Sequence, residues 1–275
     1  HRRAAARSRD RRRSSRRGSS VEFADYRNYT PGDDLRRLDW NIYARLERPF
    51  IKLLEEEEDL AVHILIDGSQ SMNWGEGDEN KFQYALRVAA GLGAITLASG
   101  DVLTIGLLQH GKVTAEFGPS RGQASLTRLF RFLERIEPDG ETDLNRAMRD
   151  YSILPRRAGL VILISDLFAD DGYELGLRQL MGRGHEAALV HVLAPDELDP
   201  PLAGDIQLVD IETNQTQDVS LDGGLRERYR TRARAWIQST QTECRKHNIR
   251  YLDVVTSQTW DHVLLLEMRR AGFVK

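Results

Sequence analysis

Cysteine is almost missing from this chain: Cys244 is the single one in 275 residues. An internal disulfide is therefore excluded, and a reducing compartment fits best. Long apolar runs are missing as well. The longest uncharged stretch, Val88 to Gly100, holds thirteen residues, short of the roughly 20 that span a bilayer and suited instead to a buried helix. No charged-apolar-small secretion pattern opens the chain, so a cytoplasmic location without a membrane span is the expectation. Aromatic rings are absent from residues 1–17, HRRAAARSRDRRRSSRR, where nine Arg stand against one Asp. That arm carries +8 of a formal total of −3, which leaves about −11 for the rest. Basic arms bind nucleic acid or anionic lipid, but this one has no rings to stack on bases and only alanines to offer a membrane. A solvated tail over residues 1–20 is expected, and the acidic body argues against nucleic acid as a partner. Neither G-x-x-x-x-G-K-[ST] nor H-E-x-x-H occurs, so nucleotide and zinc-protease chemistry are not indicated.

Present instead is an ordinary globular composition, 40% hydrophobic and 29% charged, long enough for one large domain with appendages. After the tail, VEFADYRNYTPGDDLRRLDWNIYARLERPF (Val21 to Phe50) is dense and irregular. Pro31-Gly32 marks a turn, and Asp33 and Asp34 are placed to cap a short helix with Leu35 and Leu38 on one face. Phe23, Tyr26, Tyr29, Trp40 and Tyr43 are too large to leave wet. Residues 21–59 are therefore expected to form a clamp against the main domain, with FIKLLEEE from Phe50 as a strand. From Ala61 onward strand and helix patterns alternate. AVHILI, DVLTIGLLQ, KVTAEF, GLVILIS, EAALVHVLA and RYLDVVT read as strands, with a hairpin around His110-Gly111. Helices are expected at KFQYALRVAAGLGAITLAS, SLTRLFRFLERI, DLNRAMRDYSIL, YELGLRQLMGRG, Leu225 to His247, and WDHVLLLEMRRAGF. A hairpin near residues 205–222, turning at Asn214-Gln215, reads as an insert. This order predicts an α/β fold: a doubly wound, mostly parallel, Rossmann-like sheet covered on both faces.

In such sheets ligands bind beyond the carboxyl ends of the strands. Asp67 ends AVHILID there, and GSQSM follows, with Ser69 and Ser71. Asp166 leaves the buried strand Leu160 to Ser165, and Thr142 in PDGETDL opens a helix. Each feature alone is explained by turns and caps, because Asp, Ser and Thr cap helices well. Together, two carboxylates and three hydroxyls at converging strand ends form a set of hard oxygen donors suited to Mg²⁺ or Mn²⁺. Along an extended turn Asp67, Ser69 and Ser71 face one side, so a divalent-cation cup is the expected site. Trp74, just past that loop, is a candidate exposed anchor for a partner. His63 and His191 lie in strand patterns and are expected in the core or at its rim. Cys244 and His247 make only a lone C-x-x-H, too little for zinc.

The D-x-S-x-S motif of Asp67, Ser69 and Ser71, followed by Thr142 and Asp166, resembles the metal-ion-dependent adhesion site of von Willebrand factor type A domains. The resemblance spans residues 60–275, with the insert as a departure, and implies that those five residues hold Mg²⁺ or Mn²⁺. A second resemblance lies in FADYRNYTPGDDLRRLDWNIYAR. Phe23, Arg27, Tyr29, Pro31-Gly32-Asp33-Asp34, Arg36, Asp39-Trp40 and Ala44-Arg45 are similar to the bacterial domain of unknown function 58 family. That family implies partnership with a MoxR-type AAA+ ATPase, or with its client, in assembling or remodelling proteins. A Mg²⁺-dependent protein-binding module, not an enzyme, is therefore the expected function. The alternatives are a metal-dependent phosphatase or hydrolase, which the absence of lysine from the three ligand loops disfavours, and a scaffold with an RNA- or lipid-binding tail.

Overall fold

The segment expected to be irregular after residue 20 begins with a regular strand. Strand β1 (Val21–Asn28) pairs antiparallel with β2 (Phe50–Glu56), from Val21 opposite Glu56 to Asn28 opposite Phe50, with a bulge between Phe23 and Asp25. The computed structural model describes residues 21–56, 59–141, 143–201, 204–209, 216–221 and 223–273. The chain divides after Asp59 into two compact units. In the first unit the chain turns at Gly32, whose φ of 107° suits a residue without a Cβ. Asp34 caps a single 3₁₀ turn, Leu35–Arg37, by accepting the Arg36 N–H at 3.0 Å. Helix α1 (Trp40–Leu46) follows between the two strands, and Asp39 Oδ1 accepts the N–H groups of Asn41 and Ile42. Arg27 meets Asp33 at 2.8 Å across the turn.

The second unit is a mixed α/β domain around a six-stranded sheet. Strand β3 (Ala61–Asp67) is buried at every position. It runs parallel to β4 (Val102–Gln109) on one side and to β6 (Leu160–Ser165) on the other, and helix α2 (Lys81–Ala98) connects it to β4. Strand β5 (Lys112–Arg121) turns back antiparallel on β4. Both His110 and Gly111 have positive φ, 52° and 69°, the turn geometry that matches strand twist in a two-residue hairpin. Helices α3 (Leu126–Leu133) and α4 (Leu144–Ile153) lead to β6. After β6 come α5 (Glu174–Gly182), β7 (Glu186–Leu193), the single turn α6 (Pro195–Leu198), and an antiparallel pair, β8 (Gly204–Val209) and β9 (Thr216–Leu221). The expected turn at Asn214-Gln215 lies outside the described residues. Helix α7 (Gly223–Lys246) then precedes β10 (Arg250–Val255).

Spatial order is β10-β7-β6-β3-β4-β5, parallel except for β5. Side chains alternate across β3. Ile64 and Ile66 join Phe82, Val88, Leu129 and Met268 on one face, while Leu65 joins Leu144, Leu163, Leu177 and Cys244 on the other. The chain leaves β3 toward β4 but leaves β6 toward β7. The carboxyl ends of β3 and β6 thus flank the point where the winding reverses, which is where a crevice opens in doubly wound sheets. Among the described residues no helix is long and apolar enough to cross a membrane.

One expected helix is broken. WDHVLLLEMRRAGF forms α-helical Trp260–His262, a π turn over Val263–Glu267, and α-helical Met268–Arg270. The i to i+5 bonding brings Met268 round to the side of Val263, so both are fully buried while Leu265 and Leu266 stay exposed.

Close packing also sets a limit where β6 begins. A Cβ on Gly159 would sit 1.9 Å from the Ala61 carbonyl oxygen of the neighbouring strand, and backbone cannot give way as a side chain does. Gly159→Ala is expected to cost about 2 kcal/mol or more, read as a fall in the urea midpoint at unchanged slope.

Candidate metal centre

Asp67 is the last residue of β3 and Asp166 the first after β6; both are fully buried. Asp67 Oδ1 accepts the Ser69 N–H at 3.0 Å, and its Oδ2 accepts the Ser165 hydroxyl at 2.6 Å. The Ser69 and Ser71 hydroxyls lie 2.9 Å apart. The loop is not the extended turn the sequence suggests. Gln70–Met72 form a 3₁₀ turn, and the turn itself brings both serines to one side.

Helix capping does not account for these groups. Helix α2 is capped by Asn80, which accepts the Gln83 N–H, and Ser69 makes no side-chain cap bond to the 3₁₀ turn that it precedes. Helix α4 opens at Leu144 and is capped by Asp143, which accepts the Arg146 N–H at 2.8 Å. Asp143 therefore holds the cap position that the sequence offered to Thr142. Thr142 itself lies outside the described residues.

Asp166 is fixed from three directions. Its Oδ1 accepts the Phe168 N–H at 3.1 Å, its Oδ2 accepts from Lys81 Nζ at 2.6 Å, and its carbonyl faces His191 Nε2 at 3.1 Å. Lys81 also pairs with Glu197 of α6 and is fully buried. Sequence reasoning missed Lys81 and Glu197. Lysine is absent from the ligand loops, but the first residue of α2 carries one into the site. Its ammonium is committed to two carboxylates, which leaves it poorly placed to hold a phosphate.

Burial, and then the charge on Asp166, push the Asp67 carboxyl up to about 6. Burial pulls the Lys81 amine down, but the Asp166 and Glu197 charges outweigh it and the net direction is up. Burial likewise holds Glu197 above its ordinary range despite Lys81. Among the described residues, one ammonium is thus shared by the Asp166 and Glu197 carboxylates, with Asp67 close enough to feel the Asp166 charge. Among the described residues no three His, Cys, Asp or Glu side chains converge as a metal-binding group. The donor set at Asp67 and Asp166 is instead carboxylate and hydroxyl oxygen, and it fits a hard divalent cation.

Trp74 is 46% exposed, beside Glu76, Glu79 and Asp196. His63 and His191 are core residues, Cys244 is buried, and His247 pairs with Glu243 at 3.1 Å.

An uncharacterized protein of Mycobacterium bovis is 27% identical over 261 residues, covering 93% of this chain and 81% of the relative. Among solved structures, BatB of Bacteroides thetaiotaomicron aligns with a TM-score of 0.46 at 16% identity, over 78% of this chain and 99% of its own. An aerotolerance-related membrane protein of Bacteroides fragilis aligns at 0.49 and 14% identity, over 78% and 100%. Residues 25–239 match the family model described as "Protein of unknown function DUF58", and the chain belongs to that family.

Proposed function

We propose that this chain is a divalent-cation-dependent protein-binding module, not an enzyme, with a von Willebrand factor type A-like second unit. The observation that carries the proposal is the meeting of two fully buried carboxylates, Asp67 and Asp166, at the winding reversal of the sheet, with the Ser69 and Ser71 hydroxyls beside Asp67. Asp67, Ser69, Ser71 and Asp166, with Thr142 from the loop before α4, would hold Mg²⁺ or Mn²⁺. The cation, when bound, supplies an open coordination position for the carboxylate of a partner's Asp or Glu. The chain's own residues do the orienting. Ser165 and the Ser69 N–H fix both oxygens of Asp67, while Lys81 and the Phe168 N–H fix those of Asp166. The partner class in this proposal is a MoxR-type AAA+ ATPase or its client.

Thermal unfolding over a series of MgCl₂ concentrations tests the metal. At a concentration tenfold above its Kd, Mg²⁺ is expected to stabilise the wild type by about 1.4 kcal/mol, seen as a rise in Tm that Asp67→Ala abolishes. An equal rise in both proteins, or none in the wild type, removes the proposal.

A further inference from the structure

An aromatic groove adjoins the candidate centre. Tyr229, Arg232, Ala233, Trp236 and Ile237 recur at helical spacing along one face of α7. With Phe168 and Leu198 they line a groove of about 350 Å³. Its walls are already set. The Phe168 ring stacks on Trp236 with centroids 5.3 Å apart and 13° between planes, and His191 supports Trp236 edge-on at 4.7 Å. The Tyr229 hydroxyl donates to the Glu197 carbonyl at 2.9 Å. Phe168 and Tyr229 nonetheless remain 43% and 41% exposed. Rigid, half-open aromatic surface of this kind suits a binding hot spot. The groove is continuous with the centre, because Phe168 donates its N–H to Asp166 and Glu197 binds Lys81.

The charge around it is polarised. On α7, Arg226 and Arg230 are committed to Asp199. Arg228 and Arg232 are exposed, and among the described residues neither has a carboxylate partner. Across α6, the Trp74 side carries Glu76, Glu79 and Asp196. A ligand rich in acid is drawn toward α7 and repelled from the Trp74 side.

We propose that the groove takes a large apolar side chain from a partner protein segment in which that residue is flanked by acids. One carboxylate would reach the metal centre, and others would lie over Arg228 and Arg232. The first of these contacts rests on the function proposed above; the apolar and arginine contacts do not.

The test is selection from a phage-displayed random peptide library on the full chain in MgCl₂. Enriched peptides are expected to place Asp or Glu beside Leu, Phe, Met or Trp. Fluorescence anisotropy with one such peptide should show at least about tenfold weaker binding to Trp236→Ala and to Phe168→Ala, with Mg²⁺ affinity unchanged in Trp236→Ala. Arg232→Glu is exposed enough to leave the fold intact, and it should weaken binding more strongly at low salt. Peptide binding that needs Trp236 but ignores Mg²⁺ keeps the groove and removes the metal-borne contact. Binding lost in Asp67→Ala but untouched by the Trp236, Phe168 and Arg232 changes overturns the groove, as does failure to enrich any acidic-apolar sequence.

Discussion

Lys81→Met is expected to destabilise the metal-free protein by about 3–5 kcal/mol and, at the same time, to tighten Mg²⁺ binding at least about tenfold. Lys81 is fully buried, its ammonium lies 2.6 Å from Asp166 Oδ2, and it is paired with Glu197 as well. Lysine is almost never buried this completely without partners. Removing it leaves two carboxylates in a site that water cannot solvate, the costly half of a broken buried ion pair. The second effect has the opposite sign. Any cation held by Asp166 shares that carboxylate with the ammonium, and like charges at such range repel by several kcal/mol even at an effective dielectric near 20. Urea unfolding in EDTA measures the first effect and calorimetric titration of MgCl₂ the second. Glu197→Gln added to Lys81→Met should recover part of the lost stability, because it takes away one of the stranded charges. A variant that unfolds like the wild type and binds Mg²⁺ no more tightly would show that Lys81 is not the counter-ion of this centre.

That triad also marks where sequence legibility ends. Asp67, Ser69 and Ser71 were visible because one short loop carries them all, and Asp166 because it follows a strand of unbroken apolar residues. Glu197 is 116 residues from Lys81 along the chain, and nothing local to either announces the other. The one available signal was positional. Lys81, Ala85, Val88 and Leu92 fall on one helical face, so a cation stands in an apolar stripe, and such a cation must find an anion in the core. Strand β1 was missed for a related reason. Glu22, Asp25 and Arg27 interrupt any clear alternation, and the partner strand enters only at Phe50. The π turn at Val263–Glu267 was hidden because a helical pattern does not reveal a local change of phase. By contrast, the six-stranded sheet was legible. Its core strands are buried on both faces and read as continuous apolar runs.

Buried histidines should cost the fold stability as pH falls below about 6.5, with His63 as the clearest case. It is 4% exposed in the middle of the sheet. Its Nε2 faces the Arg157 carbonyl at 2.9 Å and its Nδ1 the Tyr151 hydroxyl at 2.8 Å. A carbonyl can only accept, so Nε2 carries the proton and Nδ1 accepts from Tyr151. The neutral ring is therefore fully satisfied. Burial lowers its pKa from 6.5 to about 4, against the upward pull of the Arg157 carbonyl, and His185 and Arg156 push it further down while Glu116 pulls weakly up. The His185 ring lies 5.0 Å away and is itself pushed down, first by burial. With the folded pKa below the unfolded one, the unfolded chain binds the extra proton. The His63 contribution is thus complete above about pH 6.5 and is lost as pH falls toward about 4, an effect of about 3 kcal/mol. His63→Gln should be less stable than the wild type at neutral pH, because glutamine fills the site poorly, yet its stability should fall less on acidification. Urea midpoints at about pH 7 and about pH 5 measure the difference, which should shrink by about 2 kcal/mol in the variant, while His185 and His191 sustain the rest of the slope. An unchanged pH dependence in His63→Gln would place the acid sensitivity in other residues.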